Sequence, residues 1–222
     1  MLSQGQIETW QLDMSSYDSI TTFCERASSL QGLDIVILNA GVYRVNMEFS
    51  PSTGHEEDVQ TNYLSTILLM LLFIRVFKSK RDSGSLSAAG RIVIVTSDLA
   101  AWAEFPERHA DPLLPALDKK PAKWDMAERY STSKLLVQLY LLELIKRVPS
   151  STVVINAANP GFCYGTDLAR DAEGTILGWI VFIMSRIVGH SSAIGARAVV
   201  DAAVNKGQES HGQYVEGGKI RP

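Results

Sequence analysis

Cysteine is scarce: Cys24 and Cys163 are the two in 222 residues, with neither CxxC spacing nor a histidine cluster beside them. That excludes a disulfide scaffold, gives a metal site no support, and suits a reducing, cytoplasmic setting. Charge of either sign is not in excess. Lys plus Arg is 21 against 24 for Asp plus Glu, a net charge of −3, and no sizeable cluster of either sign occurs, so a nucleic acid is not an expected partner. Residues 1–10 lack the apolar core of a secretory signal. Long hydrophobic runs are missing too. Residues 64–77 and 176–188 are apolar but shorter than the roughly 20 residues a transmembrane span needs, and read as buried helices.

The remaining composition, 46% hydrophobic and 20% charged, is that of a folded α/β domain with a sizeable core. Short β-rich runs alternate with longer helical segments. Residues 8–14 read as a weak strand, 34–38 as a strand ending in Asn39-Ala40-Gly41, and 91–96 as one ending at Ser97-Asp98. Residues 153–157 run into Asn159-Pro160-Gly161, and 214–215 suggest a short last strand. Helices are expected near 17–28, 55–78, 126–147 and 192–205, the first capped by Ser16 or Asp18. This alternation predicts a doubly wound parallel sheet, Rossmann-like in class. Residues 81–90 read as a surface loop. Residues 99–125, with four prolines, are too long for an ordinary connection and read as a lid.

Tyr130-Ser131-Thr132-Ser133-Lys134 carries the strongest chemical signal. A spacing of four puts phenol and ammonium on one helical face, where a cation can favour the phenolate of a group whose ordinary pKa of about 10 is poorly matched to neutral pH. On its own the pattern also fits a surface pair. It stands, however, in a fixed order: Leu38-Asn39-Ala40-Gly41, then Asn62, Ser97, Tyr130 with Lys134, and Asn159-Pro160-Gly161. In that order the chain resembles the short-chain dehydrogenase/reductase family from about Glu8 to Gly218, and its long apolar segments are similar to those of fungal secondary-metabolite and retinol-dehydrogenase-like members.

The resemblance implies an oxidoreductase using NADP, with NAD possible, that interconverts a bulky hydrophobic ketone or aldehyde and its alcohol. It implies Tyr130 as general acid or base, Ser97 as a hydrogen-bond donor to the reacting oxygen, and Lys134 as a ligand of the nicotinamide ribose that lowers the tyrosine pKa. Asn62 would hold a relay water. On the cofactor side it implies Asp13, Asn39, Ala40, Gly41, Pro160, Gly161, Phe162 and Thr166, although Asp13 equally suits a helix cap and Thr166 sits one residue further on than usual. Thr96 and Cys163 read as packing residues. Segments 99–125 and 167–190 would set specificity through Trp102, Phe105, Trp124, Trp179 and Phe182, each of which could equally pack the domain. A homo-oligomer is a possible state.

The family's opening strand and glycine-rich pyrophosphate turn have no counterpart here. The chain therefore reads as a single incomplete domain over residues 1–222, starting just before the family's third strand and missing its first two. An apolar sheet edge would then lie open between residues 8–14 and 34–38. The alternative function is an impaired fragment that acts as an interaction partner.

Overall fold

The structure, a computed structural model, describes residues 7–168, 170–172 and 174–221. Residues 1–6 at the polar start, Ala169 and Glu173 within the 167–190 segment, and Pro222 lie outside the described residues. A five-stranded sheet organises the molecule, built from β1 (Ile35–Leu38), β2 (Gly90–Val95), β3 (Val153–Asn159), β6 (Tyr214–Glu216) and β7 (Lys219–Arg221), in that spatial order. β1, β2, β3 and β6 run parallel, with Ile35 opposite Arg91, Gly90 opposite Val153 and Ala157 opposite Tyr214. β4 (Cys163–Tyr164) and β5 (His190–Ser191) form a separate parallel pair, and the short helix α3 (Leu113–Leu117) lies within 99–125. β7 departs from the expected parallel sheet. It turns back antiparallel onto β6 through Gly217 and Gly218, whose φ values of 54° and 73° suit a tight hairpin.

Alternating side chains cover two faces. Ile92, Ile94, Val153, Ile155 and Ala157 pack against α1 (Tyr17–Ser28), α2 (Thr66–Asp82) and α4 (Met126–Leu144). Val93, Ala158 and Val215 meet Val199, Ala202 and Ala203 of α6 (Ser192–Val204) on the other face. Gly90 starts β2 where a Cβ would lie 2.1 Å from the Phe77 ring, so its bare backbone lets α2 seat. Ser16 caps α1 by accepting from Ser19 N at 3.3 Å. The helical stretch Val59–Asp82 is long and apolar enough to cross a membrane by length and composition, and here Met70, Phe73 and Phe77 bury it under the sheet.

Two sequence expectations fail. Residues 8–14 form no strand: among the described residues none lies beside the outer edge of β1 to complete a ladder, and Trp10 and Leu12 attach this segment to the core by side chains alone. The second concerns α5 (Ile176–Val188), which is helical but not buried. Trp179 is 66% exposed and Ile187 72%, with Phe182, Ile183 and Met184 also turned outward. The open edge is as expected. Ile35 and Ile37 are exposed on the face that α6 leaves bare, beside a groove of about 340 Å³ lined by Trp10, Leu12, Phe23 and Leu33.

Candidate active site

The carboxyl ends of β1, β2 and β3 place the family-like positions along one rim, where open parallel sheets bind ligands. Asp125 caps α4, accepting from Ala127 N and Glu128 N at 3.0 Å, and so fixes where the helix starts. One turn in, Tyr130 and Lys134 are buried on the same face. Lys134 Nζ donates to Val95 O at 3.1 Å and lies 5.7 Å from the centre of the Tyr130 ring. Ser97 acts electrostatically on the Tyr130 phenol, and its hydroxyl donates to Asp98 Oδ1 and accepts from Leu99 N, each at 3.2 Å. Gly41 completes the group: a Cβ there would stand 3.2 Å from Asn62 Oδ1 and 3.4 Å from Lys134 Nζ. Glycine is needed because turn, amide and ammonium approach this closely.

Electrostatics sharpen the picture. Burial raises the Tyr130 pKa above that of an ordinary phenol, with Ser97 acting against it and Asp58, Tyr43 and Asp98 adding to it. Lys134 is not among the groups that shift it, and burial dominates. Burial also pulls Lys134 down to about 8, opposed by Asp58. Asn62 also ties elements together. Its oxygen accepts from Val42 N at 2.9 Å, and its nitrogen donates to Val42 O and Ser133 Oγ, each at 2.9 Å. The side chain therefore clamps the segment after β1 to α4.

The remaining expected residues are more scattered. Asn39 and Ala40 are exposed beside the groove at β1. Asp13 Oδ1 accepts from Ser15 N at 2.9 Å, so its carboxylate shapes the turn before α1. Gly161, with φ 74°, follows Pro160, whose carbonyl is 2.7 Å from His190 Nε2. Phe162 and Thr166 are exposed, and Thr166 makes no hydrogen bond among the described residues. Thr96 takes the packing role expected of it, buried and accepting from Gln138 Nε2 at 2.9 Å. Cys163 is half-buried, with its thiol 3.5 Å from Pro160 O. The five aromatics assigned to specificity do not converge: Phe105 is buried, Trp124 donates to Val45 O at 2.9 Å, and Trp102 is 80% exposed. Sequence reasoning missed Tyr43, whose ring centre is 4.8 Å from that of Tyr130, and the buried Glu56 and Asp58. Position alone, two residues past the Asn-Ala-Gly turn, could have singled out Tyr43.

A family model described as short chain dehydrogenase matches residues 2–106. The short-chain dehydrogenase fogG of Aspergillus ruber is 47% identical over 220 residues, covering 98% of this chain and 62% of that protein. The short chain dehydrogenase opdN of Penicillium oxalicum is 35% identical, covering 98% of this chain and 72% of its own length. Among solved structures, NADPH-bound carbonyl reductase from chicken fatty liver has a TM-score of 0.61 at 17% identity, covering 95% of this chain and 75% of that one, a likeness of fold. The chain spans about 62% of the length of fogG. On the match to opdN across most of both lengths, and on the fold, the chain belongs to the short-chain dehydrogenase/reductase family.

Proposed function

We propose that this chain carries the catalytic part of an NADP(H)-dependent oxidoreductase that interconverts a bulky ketone or aldehyde and its alcohol, in the secondary metabolism of a fungus. The observation that supports it most is the meeting of Tyr130, Ser97 and Lys134 at the carboxyl ends of parallel strands. The nicotinamide–ribose end of the cofactor fits the residues present. Gly41 leaves an open cradle, and the buried Lys134 ammonium has one hydrogen bond among the described residues, so it keeps donors for ribose hydroxyls. Asn39, Ala40, Pro160, Gly161, Phe162 and Thr166 would border the rest. The pyrophosphate end has no glycine-rich turn in this sequence. An NADPH-bound neighbour of this fold supports NADP, and one that binds NADH keeps NAD open as the alternative.

When bound, the cofactor supplies or accepts the hydride. Ser97 Oγ donates a hydrogen bond to the carbonyl oxygen, and the Tyr130 phenol gives that oxygen its proton. The phenol is protonated at neutral pH, the form that donates in carbonyl reduction. Lys134 supplies the neighbouring positive charge that offsets the phenolate left behind. Nicotinamide fluorescence with NADPH and NADH, followed by assay of bulky ketones, tests the reading. Tyr130→Phe is expected to cut turnover by at least about 100-fold while leaving cofactor affinity unchanged, and unaltered turnover overturns the roles.

A second reading draws on the open edge of β1 and its apolar groove, which suit a chain that pairs its sheet with another protein. Tight NADPH binding with carbonyl turnover by these 222 residues alone would exclude it.

A further inference from the structure

We propose that Glu56 and Asp58 form a proton-sharing carboxyl pair in which Asp58 is the protonated member and acts as a positioning residue for the Tyr130 face. The inference rests on reading that face as catalytic, and it begins from two acids that are both 0% exposed and two residues apart, the Glu56 carboxylate folding back to accept from Asp58 N at 3.1 Å. Two carboxylates in such contact repel strongly at low dielectric, and one bound proton turns the repulsion into a hydrogen bond.

Their partners decide which one holds the proton. Glu56 accepts from Asp58 N and Val59 N at 3.1 Å each and faces Arg129 Nε at 3.8 Å. It has the surroundings of an anion. Asp58 has weaker support: Arg44 N at 3.3 Å on Oδ2 and Asn62 Nδ2 at 3.4 Å on Oδ1. The Arg44 guanidinium is engaged elsewhere, with Glu57 at 3.0 Å and Asp171 at 2.6 Å. Burial pushes Asp58 up to about 8, with Glu56 adding to it. An O–H on Asp58 can donate to Glu56 while both its oxygens still accept.

Those two accepted bonds give the pair its use. Through Asn62, Asp58 reaches Val42 and Ser133; through Arg44 N it holds the other end of the same segment. Between them lies Tyr43, its ring tilted at 53° against that of Tyr130 with 4.8 Å between the centres. The charged and titratable groups facing Asp58 are Glu56, Arg44, Tyr43, Tyr130 and Lys134, with Arg129 behind Glu56. Ionising Asp58 adds an anion to this set and makes the phenol a weaker acid. Protonated, it keeps the same geometry without that charge.

Carboxyl-labelled ¹³C NMR of the full chain, wild type against Asp58→Asn, tests the pair. One carboxyl is expected to titrate near pH 8 and to be missing from the variant, whose amide nitrogen can donate to Glu56 and whose single oxygen keeps one of the two accepted bonds. Over about pH 4 to 8 the folded chain holds one proton more than the unfolded chain, so this contribution to stability is present below pH 4 and lost by pH 8. The wild-type melting temperature should therefore fall relative to Asp58→Asn across that window. Glu56→Gln should move the Asp58 titration down by about one pH unit or more, by removing the neighbouring anion. In carbonyl reduction, with each kcat taken relative to its own value at pH 7, wild-type kcat should fall further above pH 8 than that of Asp58→Asn. No carboxyl titrating above pH 6, or melting profiles that stay parallel, overturns the pair. Equal kcat profiles with the titration present overturn the positioning role alone. Failure of Tyr130→Phe to alter turnover overturns the catalytic reading and leaves the NMR result standing.

Discussion

Segments 99–125 and 167–190 have the same expected task, to cover the site and select substrate, yet they are held in opposite ways. The first is tied down by buried polar groups. Glu128, in the first turn of α4, accepts from Glu104 N at 3.0 Å, Phe105 N at 2.9 Å and Thr132 Oγ1 at 2.7 Å. Those bonds keep Phe105 buried at a left-handed φ of 47°, costly for a residue with a side chain. Asp118 bonds Glu56 N at 2.9 Å and His55 Nδ1 at 2.8 Å, and the buried Arg129 joins Glu107 at 3.0 Å. Segment 167–190 has little of this. Asp171 pairs with Arg44, Arg186 lies 4.6 Å over the Tyr164 ring, and α5 exposes its described apolar side chains. The first segment is a frame that shares groups with α4; the second has few such ties among the described residues.

The sharpest way to break this contrast is Arg129→Met. It strands Glu56, fully buried, without its cation, and such a loss costs about 3–5 kcal/mol, read as a fall in the denaturation midpoint. Glu128→Gln comes next. It keeps the shape, but its amide nitrogen cannot accept, so at least one of the three bonds is lost and the rest lose a charged acceptor; it is expected to cost about 1–3 kcal/mol and to open 99–125, but not 167–190, to limited proteolysis. Cleavage first in 167–190 would remove the distinction.

Sequence alone carried the frame of the fold because local signals and tertiary structure agree there. The Ser16 cap, the β-branched runs of β2 and β3, and the Tyr130–Lys134 spacing depend on near neighbours, and each appears where expected. Residues 8–14 misled because alternation marks a strand only when a partner is beside it. Ile176–Val188 misled because an apolar helix is buried only if something covers it. Within the site, residue types were legible and their bonding was not. Asn62 is polar in any sequence, but its commitment to Val42 and Ser133 depends on contacts 20 and 71 residues away. The same holds for Tyr43, brought onto Tyr130 from another element.

Arg44→Met sharpens the contrast from the other side. Removing one partly exposed ion-pair hub should cost about 1 kcal/mol or less, but it should speed proteolysis within 167–190 and leave 99–125 protected. Equal protection of both segments would mean that Arg44 is not what holds the second one.

Trp179→Ala has the smallest expected effect and discriminates most finely. A side chain 66% exposed, with an edge contact to Phe182 at 6.4 Å between ring centres, has little burial to lose, so stability should stay within about 0.5 kcal/mol. If segment 167–190 closes over a hydrophobic substrate, the same change should raise KM for bulky ketones and leave kcat for small ones untouched, since the indole gains its contacts only on closure. A destabilisation of about 2 kcal/mol or more would instead show that Trp179 is buried in solution, and would make this segment as fixed as the one that Glu128 fastens.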